Sequence, residues 1–275
     1  MECGFSQLIA LLSKSKDSRI DGWFLMSSPV NVTLIILAYI FIVLRIGPSL
    51  MKNRKAYSLR HTLAVYNLFQ IIYNSYLFWS LGSEAQPIGS LMKDDCKIER
   101  SDELTLQCFG FGWWYLMNKI VDFMDTIFMI LRKKNHQITF LHVYHHAIMV
   151  VLSWVSMKYI GVREEFGIVT ALNAGVHVLM YFYYFVAAVG PQSQMYLQWK
   201  IYITKIQIGQ FFVGPLYLLA TVVRGCQVPR VYMFWTVVNA AVFILLFTNF
   251  YLKTYTNRQV MNMKEVRSEN IKKST

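Results

Sequence analysis

Acidic residues are scarce: 15 Asp and Glu stand against 27 Lys and Arg in 275 residues, a formal charge of +12. A surplus of that size suits nucleic acid only when a soluble basic domain carries it. The chain is 55% hydrophobic and has no such domain, so nucleic acid is not a partner. Cysteine is also sparse. Cys3, Cys96, Cys108 and Cys226 all lie away from the histidines, which argues against a cysteine nucleophile. Residues 1–29 lack the continuous apolar run of a cleavable signal peptide, so membrane insertion is expected to begin at the first or second span. Large polar loops are missing too, which weighs against a seven-helix receptor or transporter, the non-enzymatic alternative.

What the chain does contain is apolar stretches of roughly 17 to 23 residues, the length a helix needs to cross hydrocarbon. They fall near 30–46, 62–81, 109–131, 139–157, 166–189, 201–222 and 231–252. The expected fold is an all-α membrane protein with seven transmembrane helices. Residues 1–29 form a lumenal N-terminal segment, 30–252 a seven-helix catalytic domain and 253–275 a basic tail.

Lys and Arg concentrate after the odd-numbered spans, at Arg45, Lys52, Arg54, Lys55, Arg60, Arg132, Lys133, Lys134 and in the tail. The positive-inside rule puts that side, and the C-terminus, in the cytosol. Much of this belt orients the protein against anionic membrane lipid. The chain ends Lys272-Lys273-Ser274-Thr275, which matches a dilysine retrieval signal and predicts the endoplasmic-reticulum membrane. On the same topology Cys96 and Cys226 share the oxidising side and are the expected disulfide, with Cys96–Cys108 as the competing pair.

The segment His142-Val143-Tyr144-His145-His146 lies inside an apolar stretch. Positions i, i+3 and i+4 put its three imidazoles on one helix face. Ionisable groups at membrane depth mark function by default. Lys119, Asp122 and Asp125 follow one face of the third span, close enough for Lys119 to pair with Asp122, as a buried staple or as part of a site. Asn173, His177 and Tyr181 recur at i, i+4, i+8 in the fifth span. Thr204, Gln207 and Gln210 line the sixth, where the amides suit either helix packing or substrate contact.

Two chemistries fit such a set. A metal-dependent membrane desaturase or hydroxylase uses several histidine boxes but recruits more histidines than the six present here, two of which, His61 and His136, lie outside the membrane. Four imidazoles suffice for one zinc, yet nothing else in the sequence asks for a metal, and none is expected. The other chemistry is nucleophilic. A neutral imidazole, with an ordinary pKa of about 6.5, attacks a thioester to give an acyl-imidazole. That intermediate is labile in water, and a dry intramembrane site protects it.

Four motifs occur in order: Lys119-x-x-Asp122-x-x-Asp125-Thr126; Arg132-Lys133-Lys134-x-x-Gln137-x-Thr139-Phe140-Leu141-His142-x-x-His145-His146; Asn173-x-x-x-His177-x-x-Met180-Tyr181-x-Tyr183-Tyr184; and Thr204-x-x-Gln207-x-x-Gln210-Phe211. Together with Trp23 to Pro29 and Gly47-Pro48 to Lys55, they resemble the animal branch of the very-long-chain fatty acid elongase family, the endoplasmic-reticulum 3-ketoacyl-CoA synthases. One departure is visible. The family usually has Glu where this chain has Asp122, a carboxylate shorter by one methylene.

The resemblance implies that spans two to seven ring a narrow acyl tunnel, open to the cytosol for CoA. It implies condensation of a long acyl-CoA with malonyl-CoA by a ping-pong route, with no cofactor beyond these substrates. His145 is then the nucleophile, and His177 holds or deprotonates the malonyl unit. His142, His146 and Asn173 orient the rings, while Lys119, Asp122 and Asp125 tune local charge. Arg132, Lys133, Lys134, Lys200 and Lys205 are candidates for the CoA phosphates, and Gln207 and Gln210 for further substrate contacts. Separate reductase and dehydratase enzymes are the expected partners, and assembly into homo-oligomers is left open.

Overall fold

The structure is a computed structural model and describes residues 17–85, 102–161, 164–190, 199–225, 228 and 230–256. Cys3, Cys96, Cys226 and the final dilysine lie outside the described residues, and with them both disulfide pairings. The regular structure among the described residues is helical. Helix α1 spans Pro29–Met51, α2 Arg60–Ala85, α3 Asp102–Val121 and α4 Phe123–Leu131. Helix α5 spans Phe140–Ile160, α6 Glu164–Val189, α7 Trp199–Val223 and α8 Arg230–Tyr251.

Local chemistry sets the helix starts and bends. Ser28 caps α1 by accepting from the Val30 N–H, and Pro29 takes the first turn, where its missing N–H costs nothing. Farther along α1, Pro48 has no N–H for the preceding turn, and the helix widens into a π segment over Ile42–Ile46 just before it. Gly47 then lets α1 touch α4, because a Cβ there would lie 2.9 Å from the Ile130 side chain. Thr139 caps α5 by accepting from the His142 N–H at 3.2 Å.

Five helical stretches are long and apolar enough to cross a membrane among the described residues: Pro29–Met51, Phe140–Ile160, Gly167–Val189, Trp199–Val223 and Tyr232–Thr256. The spans expected at 62–81 and 109–131 are not among them: the first falls on α2, which carries many polar residues, and the second is divided at Asp122 into α3 and the nine-residue α4. The polarity of α2 faces inward. Asn67, Gln70, Asn74 and Ser80 of α2 are buried, whereas Val65, Ile72 and Trp79 are 70%, 63% and 76% exposed. A polar inside and an apolar outside reverse the pattern of a soluble helix.

Helix α2 packs against α6 along most of its length; α6 touches α7, α7 touches α8, and α3 lies between α2 and α5. Helices α5 and α8 meet through Tyr144–Phe243 and His145–Phe243, with ring centroids 6.1 and 5.6 Å apart. Helix α1 sits to one side, against α5 and α4.

One end of the bundle is basic. There the Tyr57 N–H donates to Leu131 O at 3.0 Å, and Arg60 caps the α6 carbonyls of Ala188 and Val189. At the other end residues 17–28 are strapped down, although the sequence suggested only a lumenal segment. Trp113 Nε1 donates to Phe24 O at 3.0 Å, Trp154 Nε1 to Leu25 O at 2.8 Å and Lys158 Nζ to Met26 O at 2.6 Å. Lys158 also pairs with Asp21.

Candidate active site

The imidazoles of α5 lie on its first two turns, about 3 to 9 Å along the axis from its start at the rise of a helix. His142 and His146 have ring centroids 4.4 Å apart, and His145 and His146 are 5.5 Å apart at 89°. Across from them His177 of α6 has its ring 6.4 Å from that of His145, inclined by 29°. His146 and His177 are buried, while His145 keeps some accessible surface. The His145 ring makes no hydrogen bond to another described residue; besides the two imidazoles it has apolar rings beside it, Phe243 at 5.6 Å and Phe247 at 6.1 Å. Among the described residues no group of three or more His, Cys, Asp or Glu is placed to hold a metal ion.

Behind His177 lies a charged cluster. Lys119 Nζ is 2.7 Å from Asp122 Oδ2 and 3.4 Å from His177 Nδ1, so the ammonium touches both the carboxylate and the ring. The Lys119 and Asp122 side chains are buried at 2% and 3% exposure, where an ion pair persists only if its remaining hydrogen-bonding capacity is filled. It is filled. Gln70 Nε2 donates to Asp122 Oδ1 at 2.6 Å, and the Tyr181 hydroxyl reaches the same oxygen at 3.0 Å and Asp125 Oδ2 at 2.7 Å. The Lys119 ammonium also lies 5.1 Å from the centre of the Tyr115 ring. Asp122 stands between α3 and α4 at a capping position but makes no capping bond, since its oxygens are engaged elsewhere.

The structure thus gathers Lys119, Asp122, Asp125, His142, His145, His146 and His177 into one region. Asn173 is buried beside it, but its Oδ1 accepts from the Tyr115 hydroxyl at 2.8 Å rather than from an imidazole. Among the described residues Gln207 Nε2 reaches only the sulfur of Met180, at 3.5 Å, and the buried Oε1 of Gln210 has no partner. Arg132, Lys133, Lys134, Lys200 and Lys205 are exposed at the basic end, away from the rings. Lys133 adopts φ +54°, and the Lys133 and Lys134 N–H groups donate back to Ile130 O and Met129 O, each at 2.9 Å. This closes α4 with a left-handed residue where glycine is the usual choice.

Several members escaped the sequence reading. Tyr66, Gln70 and Asn74 recur at i, i+4, i+8 on α2, a spacing like that of Asn173, His177 and Tyr181, and this was the available signal. Asn118 Nδ2 donates to Gln70 Oε1 at 2.7 Å, extending the network into α3.

Comparison with known proteins adds an independent line. A sequence model described as the GNS1/SUR4 family matches residues 24–263. The chain is 38% identical over 252 residues to very long chain fatty acid elongase 5 of Xenopus laevis, covering 91% of this chain and 83% of that one. It is 35% identical over 254 residues to elongase 7 of Rattus norvegicus, covering 90% and 88%. With elongase 4 of Homo sapiens it shares 36% identity over 241 residues, covering 87% and 76%.

Proposed function

The chain belongs to the GNS1/SUR4 family of fatty acid elongases, and on that premise we propose that it is the condensing enzyme of the cycle, a 3-oxoacyl-CoA synthase working through an acyl-imidazole. The observation that carries this reading is the pairing of His145 with His177 across α5 and α6, ring centroids 6.4 Å apart, with the His145 ring hydrogen-bonded to no described residue. A nucleophile needs an unengaged nitrogen.

His145 attacks the acyl thioester carbonyl. The C–S bond breaks, CoA leaves as the thiol with the imidazole proton, and the acyl group stays on nitrogen. Malonyl-CoA then binds near His177 and loses CO2. The enolate carbon attacks the acyl-imidazole carbonyl, forming the new C–C bond and breaking the C–N bond; the ring leaves with that electron pair as imidazolate and takes up one proton from water to regenerate His145. The product is a 3-ketoacyl-CoA two carbons longer. Lys119, beside His177, stabilises the negative charge that builds on the enolate. Asp122 and Asp125 hold that ammonium in register, His142 and His146 orient the reacting groups, Asn173 anchors the Tyr115 ring that lies against the Lys119 ammonium, and Gln207 and Gln210 contact substrate.

The same reading makes α2 and the α3–α4 pair the second and third of seven spans. Spans two to seven enclose the acyl tunnel, and the cations from Arg132 to Lys134 with Lys200 and Lys205 meet the CoA phosphates. The inward polarity of α2 and the basic end support this arrangement. The protein resides in the endoplasmic-reticulum membrane with its C-terminus in the cytosol, and passes its product to a reductase and a dehydratase.

Two measurements on the purified full chain test the proposal. Mixing with a long-chain acyl-CoA should add one acyl mass to the intact protein and release an equal amount of free CoA. Adding malonyl-CoA across a ladder of acyl lengths should convert that adduct to 3-ketoacyl-CoA. Absence of both adduct and product overturns the mechanism.

A further inference from the structure

Helix α1 stands outside the ring of helices that carries the histidines, yet it reaches the site. The Tyr39 hydroxyl lies 2.9 Å from Thr126 Oγ1, and Thr126 Oγ1 lies 2.9 Å from His142 Nε2. Two of the three groups are enclosed, Thr126 fully buried and Tyr39 4% exposed, and His142 is partly buried. The Tyr39 ring is stacked on Phe123 at 4.0 Å and 10°, which holds the hydroxyl in place. From His142 the contacts continue to His146, ring centroids 4.4 Å apart, and from His146 to His145 at 5.5 Å.

Packing does not require this hydroxyl. The buried residues of α1 are Val32, Tyr39, Val43, Gly47 and Met51, and Tyr39 alone among them has a polar side-chain atom. A phenylalanine would stack on Phe123 equally well. We propose that Tyr39 is a positioning residue for the condensation reaction: it fixes His142, through Thr126, in one orientation and one tautomer. The inference rests on the condensing reaction proposed above and adds to it a residue from the span outside the ring.

The direction of the chain follows from acidity. A phenol, with an ordinary pKa of about 10, is a stronger hydrogen-bond donor than an aliphatic alcohol, so the Tyr39 O–H donates to Thr126 Oγ1. The single Thr126 hydrogen then points at Nε2 of His142, which accepts it, and the His142 proton resides on Nδ1. With its Nε2 electron pair engaged, His142 is neither nucleophile nor base. It is a fixed surface against which His146, and through it His145, is seated.

The test uses the purified full chain and follows both the burst of free CoA on mixing with acyl-CoA and steady-state condensation with malonyl-CoA. Tyr39→Phe keeps the ring and its stacking and removes one hydrogen bond. The acylation burst rate and kcat should fall about threefold to tenfold, with KM for both substrates unchanged. Thr126→Val should lose at least as much, and Thr126→Ser, which restores the hydroxyl, should recover most of it. In a His142→Ala background, Tyr39→Phe should have no further effect, because the residue through which it acts is gone. An unchanged kcat in Tyr39→Phe overturns the relay and leaves the condensing reaction standing, as does an equal loss with and without His142. A wild-type protein that forms neither adduct nor product overturns both.

Discussion

Around Asp122 the structure spends hydrogen bonds freely: Lys119, Gln70 and Tyr181 all converge on one carboxylate, drawing on α2, α3 and α6. On α5, His145 has accessible surface, two phenyl rings beside it and a ring that makes no hydrogen bond to a described residue. The two regions adjoin, since Lys119 touches His177 and His177 faces His145. On the proposed mechanism they solve opposite problems. A buried charge has to be saturated or it unfolds the site, whereas a nucleophile has to be left unsaturated or it cannot react. Rigidity in the first region lets the second stay unengaged without collapsing.

The contrast predicts that substitutions in the two regions damage different properties. His145→Ala gives the largest effect and a purely chemical one. Acyl adduct formation should vanish, while acyl-CoA still binds and the melting temperature falls far less than for the charged cluster. An adduct of normal mass on that variant would place the nucleophile elsewhere. Asp122→Asn should do the reverse. It leaves the Lys119 ammonium uncompensated in the interior and should cost about 3 to 5 kcal/mol, measured as lost thermal stability in detergent. Unchanged stability would mean that water reaches the ammonium.

Gln70→Leu is the finer probe. Its side chain donates to Asp122 at 2.6 Å and accepts from Asn118 at 2.7 Å. Removing it leaves both partners short of a bond and should cost about 1 to 3 kcal/mol. If the carboxylate cluster serves to hold Lys119, the melting temperature drops with little change in the rate of the acyl-adduct step, which the proposed mechanism assigns to His145. A slowed acylation with unchanged stability would show instead that the two regions are chemically coupled.

Much of the site was legible from local spacing. His142, His145 and His146 share a face because a helix repeats every 3.6 residues, and the same periodicity pairs Lys119 with Asp122 at i, i+3. Their proximity requires no knowledge of the rest of the fold. Asn173 was legible as a member of the site but not in its bonding. Its partner is the Tyr115 hydroxyl on another helix, and no spacing within α6 contains that fact. Gln70, Tyr181 and Asp125 were invisible as a set for the same reason. The hydrophobic run is weakest over α2, and the residues that interrupt it, Asn67, Gln70, Asn74 and Ser80, are the ones turned inward.

By itself the sequence determined that the chain is built of membrane-spanning helices, that one of them bears a row of imidazoles and that a lysine and an aspartate lie within one turn. Each of these follows from hydrophobic run length or helical period, which are properties of contiguous residues. Only the tertiary structure decided that Asp122 is held from three helices, that the carbonyls of residues 24 to 26 are bound by Trp113, Trp154 and Lys158, and that Tyr39 reaches His142 through Thr126. Those contacts join residues far apart in the chain. Their existence depends on how each helix is rotated and seated against its neighbours, and that is settled by packing the whole bundle at once.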